Sequence, residues 1–186
     1  MNILLLGNKG LLLKEIIENL GHTCRLEEGK LQEPIKEDFI ISFGYRYMVH
    51  KDIVKKFENK IINMHISYLP WNRGADPNLW SILENTPKGV TIHRLTDKLD
   101  CGDILLQKEV YFSDKDTLKT SYNKLINEIV GLFAENIDDI LLNKINSYPQ
   151  QGAGSFHKTI DKEKYSYLFN KLSWDTPIRE LEGKAL

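Results

Sequence analysis

Short apolar runs separated by helical-period segments dominate the first half of the chain, and they constrain its fold more than any other feature. Ile3–Leu6, Phe39–Phe43 and the run from Ile61 to His65 are too short for helices and end in turn residues or loops. Runs that are apolar at nearly every position read as strands covered on both faces, the kind found in parallel sheets. Between them, Leu11 to Leu20 carries Leu12, Ile16 and Leu20 at helical spacing with Gly21 as a stop, and a second helix fits Lys51 to Glu58. His22–Leu26, Val90–Arg94 and Ile104–Val110 read as further strands, and Pro77 opens a short helix through Trp80 to Leu83. From Leu118 to about Asn143, the residues Tyr122, Leu125, Ile129, Phe133, Ile137 and Ile140 step by three or four. That spacing gives a long helix one face to pack on a sheet, with Asp116 or Ser113 as its N-terminal cap. Beyond Pro149 the chain reads as a tail with a helix near Tyr165 to Leu172. The order predicts an α/β fold with a mixed, mostly parallel sheet flanked by helices.

Charge and cysteine usage narrow the function classes. Lys and Arg total 25 against 26 Asp and Glu, a formal net charge of −1. A protein built to hold a phosphate backbone needs an excess of cations, so the balance argues against nucleic acid as partner. No apolar run approaches the roughly 20 residues of a membrane helix. The N-terminal apolar stretch has no basic flank and reads as a strand rather than a signal peptide. Cys24 and Cys101 form no CxxC pair, which predicts reduced thiols and a cytoplasmic protein. No Cys/His cluster supports a metal, and none is expected.

Three segments can carry chemistry. Gly7-Asn8-Lys9-Gly10 lies at a strand-to-helix junction, where backbone amides can cradle a phosphate. It matches neither a dinucleotide fingerprint nor a P-loop, and a ligand-free tight turn fits as well. Asn63 and His65 sit two apart, so they share one face at the carboxyl end of their strand, where ligands bind in open α/β sheets. An Asn amide can donate to an oxyanion and a His can exchange a proton. Asp100, in the polar loop Thr96–Asp103, could hold a nearby imidazole in its charged form. Spacing alone equally fits a hydrogen-bonded core histidine and a turn-forming aspartate.

Several motifs in order carry a resemblance. Asn63-x-His65, Ser67-x-Leu69-Pro70-x-x-Arg73-Gly74, Gly89-Val90-Thr91-Ile92-His93 and Leu99-Asp100-x-Gly102-Asp103-Ile104-Leu105 resemble the folate-dependent formyltransferases. The resemblance is strong over Phe39 to Val110 and elsewhere rests on element order. It implies a Rossmann-like catalytic domain over residues 1–145, with 146–186 a C-terminal tail whose short helix packs on or extends it. It implies N10-formyltetrahydrofolate as cosubstrate and places the family's trio on Asn63, His65 and Asp100. The folate pocket falls on Arg46, Tyr47 and Met48 and on Leu95, Thr96 and Asp97, with much of the pterin recognised by main chain. His93 matches a family histidine near the site, with strand packing as its alternative.

The segment from His65 to Asn78 and the tail pieces Gly154–His157 and Trp174–Ile178 are most similar to the sugar N-formyltransferases. That resemblance implies a nucleotide-linked amino sugar as acceptor. Tyr68, Trp71 and Arg73 are chemically suited to it, by stacking on apolar ring faces and by pairing with diphosphate. Trp80 reads as core. A homodimer is left open. Methionyl-tRNA and glycinamide ribonucleotide are the alternative acceptors, and a folate- or nucleotide-binding module without turnover is the alternative class. The chain reaches Asn63 with about one strand–helix unit fewer than is usual in the family, which predicts a narrower sheet or a more open substrate side.

Overall fold

A computed structural model describes residues 1–169 and 173–185. The chain divides into two compact units, one of Met1–His65, Ile92–Leu106 and Val130–Pro149, the other of Ile66–Thr91, Gln107–Ile129 and Gln150–Leu186. In chain order the elements are β1 (Asn2–Leu6), α1 (Leu11–Asn19), β2 (Thr23–Glu27), β3 (Phe39–Phe43), α2 (Lys51–Lys56) and β4 (Ile61–His65). These are followed by β5 (Arg73–Gly74), α3 (Pro77–Leu83), β6 (Gly89–Arg94), β7 (Ile104–Glu109), α4 (Leu118–Leu141), β8 (Phe156–His157) and α5 (Ser166–Phe169). Strands β6 and β7 and helix α4 each contribute residues to both units.

Six strands form one sheet in the order β2-β1-β3-β4-β6-β7. The pairs β1/β2, β1/β3 and β3/β4 are parallel. The Arg94 amide bonds to the Asp103 carbonyl and the Val110 amide to the Lys88 carbonyl, so β6 and β7 run antiparallel. The sheet is therefore mixed and mostly parallel, as the alternation predicts, and the fold is the Rossmann-like one that the resemblance implies. Chain order reverses at β1, whose neighbours are β2 on one side and β3 on the other, and that crevice is where open α/β sheets bind ligands. There Gly7, at φ 92°, lies so close to the Phe43–Tyr45 backbone that any Cβ would collide with it. The following Asn8–Gly10 closes as a single 3₁₀ turn into α1.

In the first unit Leu4, Leu6, Ile40, Ile53, Phe57 and Ile61 form a buried cluster on which Tyr45 and Leu95 also pack. Helix α1 buries Leu13 and Ile17, whereas Leu12 and Leu20 remain about half exposed. The run Leu11-Leu12-Leu13 supplies two offset apolar rows, and the row one residue later than expected faces inward. In the second unit Trp80, Ile82, Leu83, Ile178 and Leu181 form the core. The indole of Trp80 is stacked on His157 at 4.0 Å and meets Tyr165 edge-on, so the stretch read as a tail supplies core residues.

Helix α4 keeps the expected apolar face, with Leu125, Ile129, Phe133, Ile137 and Ile140 buried. Its start is capped by Thr117, not by Asp116 or Ser113. The Thr120 amide donates to Thr117 Oγ1 while the Thr117 amide donates to Thr120 Oγ1, a reciprocal capping arrangement. The Leu118 and Lys119 amides are taken up by the Thr176 and Trp174 carbonyls. The helix expected near Tyr165 to Leu172 is seen as 3₁₀ helix over Thr159–Tyr165 and then α5, and residues 170–172 lie outside the described residues. Among the described residues no helix is long and apolar enough to cross a membrane, and no group of His, Cys, Asp and Glu could hold a metal ion. Cys24 and Cys101 are free thiols.

Candidate active site

Strand β4 ends in Asn63-Met64-His65, and its period-two alternation sends Asn63 and His65 to the same face. Asp100 reaches them through a tight loop. It holds φ at +51°, a left-handed conformation that costs an ordinary side chain roughly 1 kcal/mol or more. Two residues later, Gly102 lies so close to the Arg94 carbonyl that a Cβ there would overlap it. These two backbone features let the loop turn tightly over β6. The result is a cluster of polar side chains, of which His65, His93 and Asp100 are over nine-tenths buried.

The contacts within the cluster are specific. Asn63 Nδ2 donates to Asp100 Oδ1 at 3.0 Å and lies 3.1 Å from His93 Nε2. His93 Nδ1 is 2.8 Å from the Arg94 carbonyl oxygen. Asp100 Oδ2 is 3.8 Å from His65 Nδ1, an ion-pair distance beyond hydrogen-bond range. The three residues singled out from spacing thus meet in one place, and His93 joins them on the neighbouring strand.

The two segments expected to line a folate pocket start from one core cluster, because Tyr45 and Leu95 pack against it together. Arg46, Tyr47 and Met48 are exposed, Leu95 and Thr96 are partly buried, and Asp97 is exposed. Thr96 Oγ1 donates to the Lys98 carbonyl and accepts from the Lys98 amide, which closes a local turn. Tyr45 accepts from the Leu31 amide and donates to the Gly29 carbonyl, pinning the loop before β3. Burial pushes its phenol above the ordinary range, so it stays a neutral donor.

Tyr68, Trp71 and Arg73 belong to the second unit, the first two on the loop before β5 and Arg73 on β5 itself. All three are partly buried. Thr91 Oγ1, fully buried, donates to the Ser67 carbonyl and accepts from the Leu69 amide and from Gln107 Nε2. Gln107 Nε2 also donates to the Leu69 carbonyl. Arg73 gives Nε and Nη2 to Gln150 Oε1 at 3.0 and 2.8 Å, and Ser155 Oγ accepts from the Asn72 amide. Strand β5, Arg73–Gly74 itself, pairs with Phe156–His157. Gln107 and Gln150 were not singled out from sequence and carry no local motif, whereas Ser155 lies in the tail piece Gly154–His157 that carries the resemblance, without a role assigned to it. A cavity of about 390 Å³ in the same unit is lined by Lys88, Tyr111, Phe112 and Arg179 among others, and none of the expected site residues lines it.

A family model described as formyl transferase matches residues 24–136. This chain belongs to the formyl transferase family. Among solved structures, the formyltransferase PseJ from Anoxybacillus kamchatkensis, in complex with UDP-4,6-dideoxy-4-formamido-L-AltNAc and tetrahydrofolate, is 48% identical. Its TM-score is 0.95, and the two chains cover 100% of each other. Curated relatives include the bifunctional polymyxin resistance protein ArnA of Wigglesworthia glossinidia brevipalpis, 36% identical over 69% of this chain and 20% of its own length. A methionyl-tRNA formyltransferase of Listeria monocytogenes is 28% identical over 88% of this chain and 51% of its own length. The formyl transferase chain thus spans about half, or less, of the length of these curated relatives. Its short segment before Asn63 is shared with a family member of matching length.

Proposed function

We propose that this chain transfers the formyl group of N10-formyltetrahydrofolate to the amine of a nucleotide-linked amino sugar. By likeness to PseJ, the acceptor is a UDP-linked 4-amino-4,6-dideoxy sugar. The observation that carries this reading is the end-to-end match at 48% identity to a formyltransferase whose complex holds a 4-formamido sugar nucleotide and tetrahydrofolate. The net charge of −1 supports a small acceptor over a tRNA. The free thiols Cys24 and Cys101 fit the reducing cytoplasm.

The residues present fit the cosubstrate. Exposed Arg46–Met48 and partly buried Leu95 and Thr96 extend from one core cluster, so two stretches of main chain are available to a flat polar ring. The folate would supply the formyl carbon. Asn63 and a protonated His65 provide donors for the negative charge that develops on the formyl oxygen when the sugar amine attacks. Asp100 holds Asn63 by a hydrogen bond, lies 3.8 Å from His65 Nδ1, and is placed to accept a proton from the attacking nitrogen. That proton returns to the departing folate nitrogen, so the transfer is balanced without a metal or an oxidant. Tyr68, Trp71 and Arg73 hold the sugar nucleotide, with Arg73 positioned by Gln150.

Incubation with N10-formyltetrahydrofolate and the UDP-linked 4-amino sugar should release tetrahydrofolate and add one formyl group, read by mass spectrometry. Absence of the formylated sugar at saturating concentrations of both would refute the reading.

A further inference from the structure

His93 Nε2 lies 3.1 Å from Asn63 Nδ2 and 3.5 Å from Asp100 Oδ1, so it carries either a hydrogen facing Asp100 or a lone pair facing Asn63. An ionised carboxylate only accepts, so the Asn63 atom facing Asp100 Oδ1 at 3.0 Å is its NH₂ group. A carbonyl oxygen also only accepts, so His93 Nδ1, 2.8 Å from the Arg94 oxygen, carries a hydrogen. A neutral ring protonated there leaves a lone pair on Nε2, the atom 3.1 Å from Asn63 Nδ2. With the lone pair there, Asn63 gives one amide hydrogen to Asp100 and the other to His93.

We propose that His93 is a positioning residue: its neutral Nε2 fixes the plane of the Asn63 amide and holds the hydrogen later given to the formyl oxygen. The inference rests on the reading of Asn63 as an oxyanion donor. The bond to Asp100 is charge-assisted and roughly twice as strong as the neutral bond to His93. The hydrogen that moves to the oxyanion is accordingly the one held by His93. Without that acceptor the amide keeps one anchor, and its plane must be ordered anew during reaction. His93 is only 1% exposed, so a packing role would ask for volume and shape alone. The positioning role asks for an acceptor atom facing Asn63.

Two substitutions separate these roles. His93→Leu keeps apolar bulk and removes the acceptor, while His93→Gln can present Oε1 to Asn63. In His93→Leu, kcat should fall about tenfold while both KM values stay within about threefold. His93→Gln should recover most of the lost kcat. Equal losses in the two variants, or an unchanged kcat in His93→Leu, would overturn the proposal. Nitrogen-15 NMR of the ring in the wild-type protein should show the hydrogen on Nδ1, and a hydrogen on Nε2 would overturn it equally. If the wild type formylates no sugar nucleotide, the proposed acceptor fails, and the NMR result still decides the His93 assignment.

Discussion

Asn63 carries the heaviest demand of any single residue in this account, because charge on the formyl oxygen must be met by a donor already in place. Asn63→Ala should lower kcat by about 10²-fold, the usual cost of one oxyanion donor, while leaving folate affinity nearly unchanged. Turnover measured beside calorimetric titration with a stable folate analogue checks this, and a parallel loss of binding would assign Asn63 a structural role instead. The pairing of Asn63 with His65 was legible in the sequence because strand alternation alone puts them on one face. Asp100 was legible from its motif and as a partner for an imidazole, but spacing did not show how it reaches Asn63 and His65. Its approach depends on the left-handed turn at Asp100 and on the space left by Gly102, neither of which a spacing rule reports. His93 could have been read from alternation too, but its partnership with Asn63 requires knowing that β4 and β6 are neighbours.

At the scale of elements, the start of α4 shows how a loop, a helix and a distant segment share one set of hydrogen bonds. Burial alone would raise the Asp116 carboxyl, but Lys124, the Ser113 amide and the Thr120 hydroxyl together hold it down to about 2. Its folded value lies below the ordinary 3.8, so its contribution is present above that value and fades as pH falls toward 2. Asp116→Asn should cost about 2 kcal/mol of unfolding free energy at pH 7. The gap to wild type should close between about pH 4 and pH 2 in urea titrations. A gap that stays constant over that range would contradict the assignment. The sequence pattern located every strand of the main sheet within a residue or so, the buried strands β1, β3 and β4 by their apolar runs and the part-exposed β2 and β7 by length and flanking loops. The two-residue strands β5 and β8 have no period to detect, and their pairing joins segments more than eighty residues apart. The cap at Thr117 was missed for a different reason: Asp116 and Thr117 are both good capping types, and only geometry chooses between neighbours.

For the molecule as a whole, the family and the fold were readable from motifs in order, and the segment from His65 to Asn78 already pointed to a nucleotide-linked amino sugar, whereas the particular sugar was not legible. On the proposed reading, acceptor choice depends on how Tyr68, Trp71 and Arg73 are held, and the contacts of Gln107, Gln150 and Ser155 emerge only from the folded chain. The end-to-end match to PseJ, against partial spans of the curated relatives, sets the expectation for that choice. The most direct test is to measure kcat/KM with N10-formyltetrahydrofolate for three acceptors side by side. These are a UDP-linked 4-amino-4,6-dideoxy sugar, methionyl-tRNA and glycinamide ribonucleotide. The sugar nucleotide should exceed both others by at least about 10²-fold, since a site built to hydrogen-bond one acceptor leaves its polar groups unpaired with another. A higher kcat/KM for methionyl-tRNA or for glycinamide ribonucleotide would contradict the account.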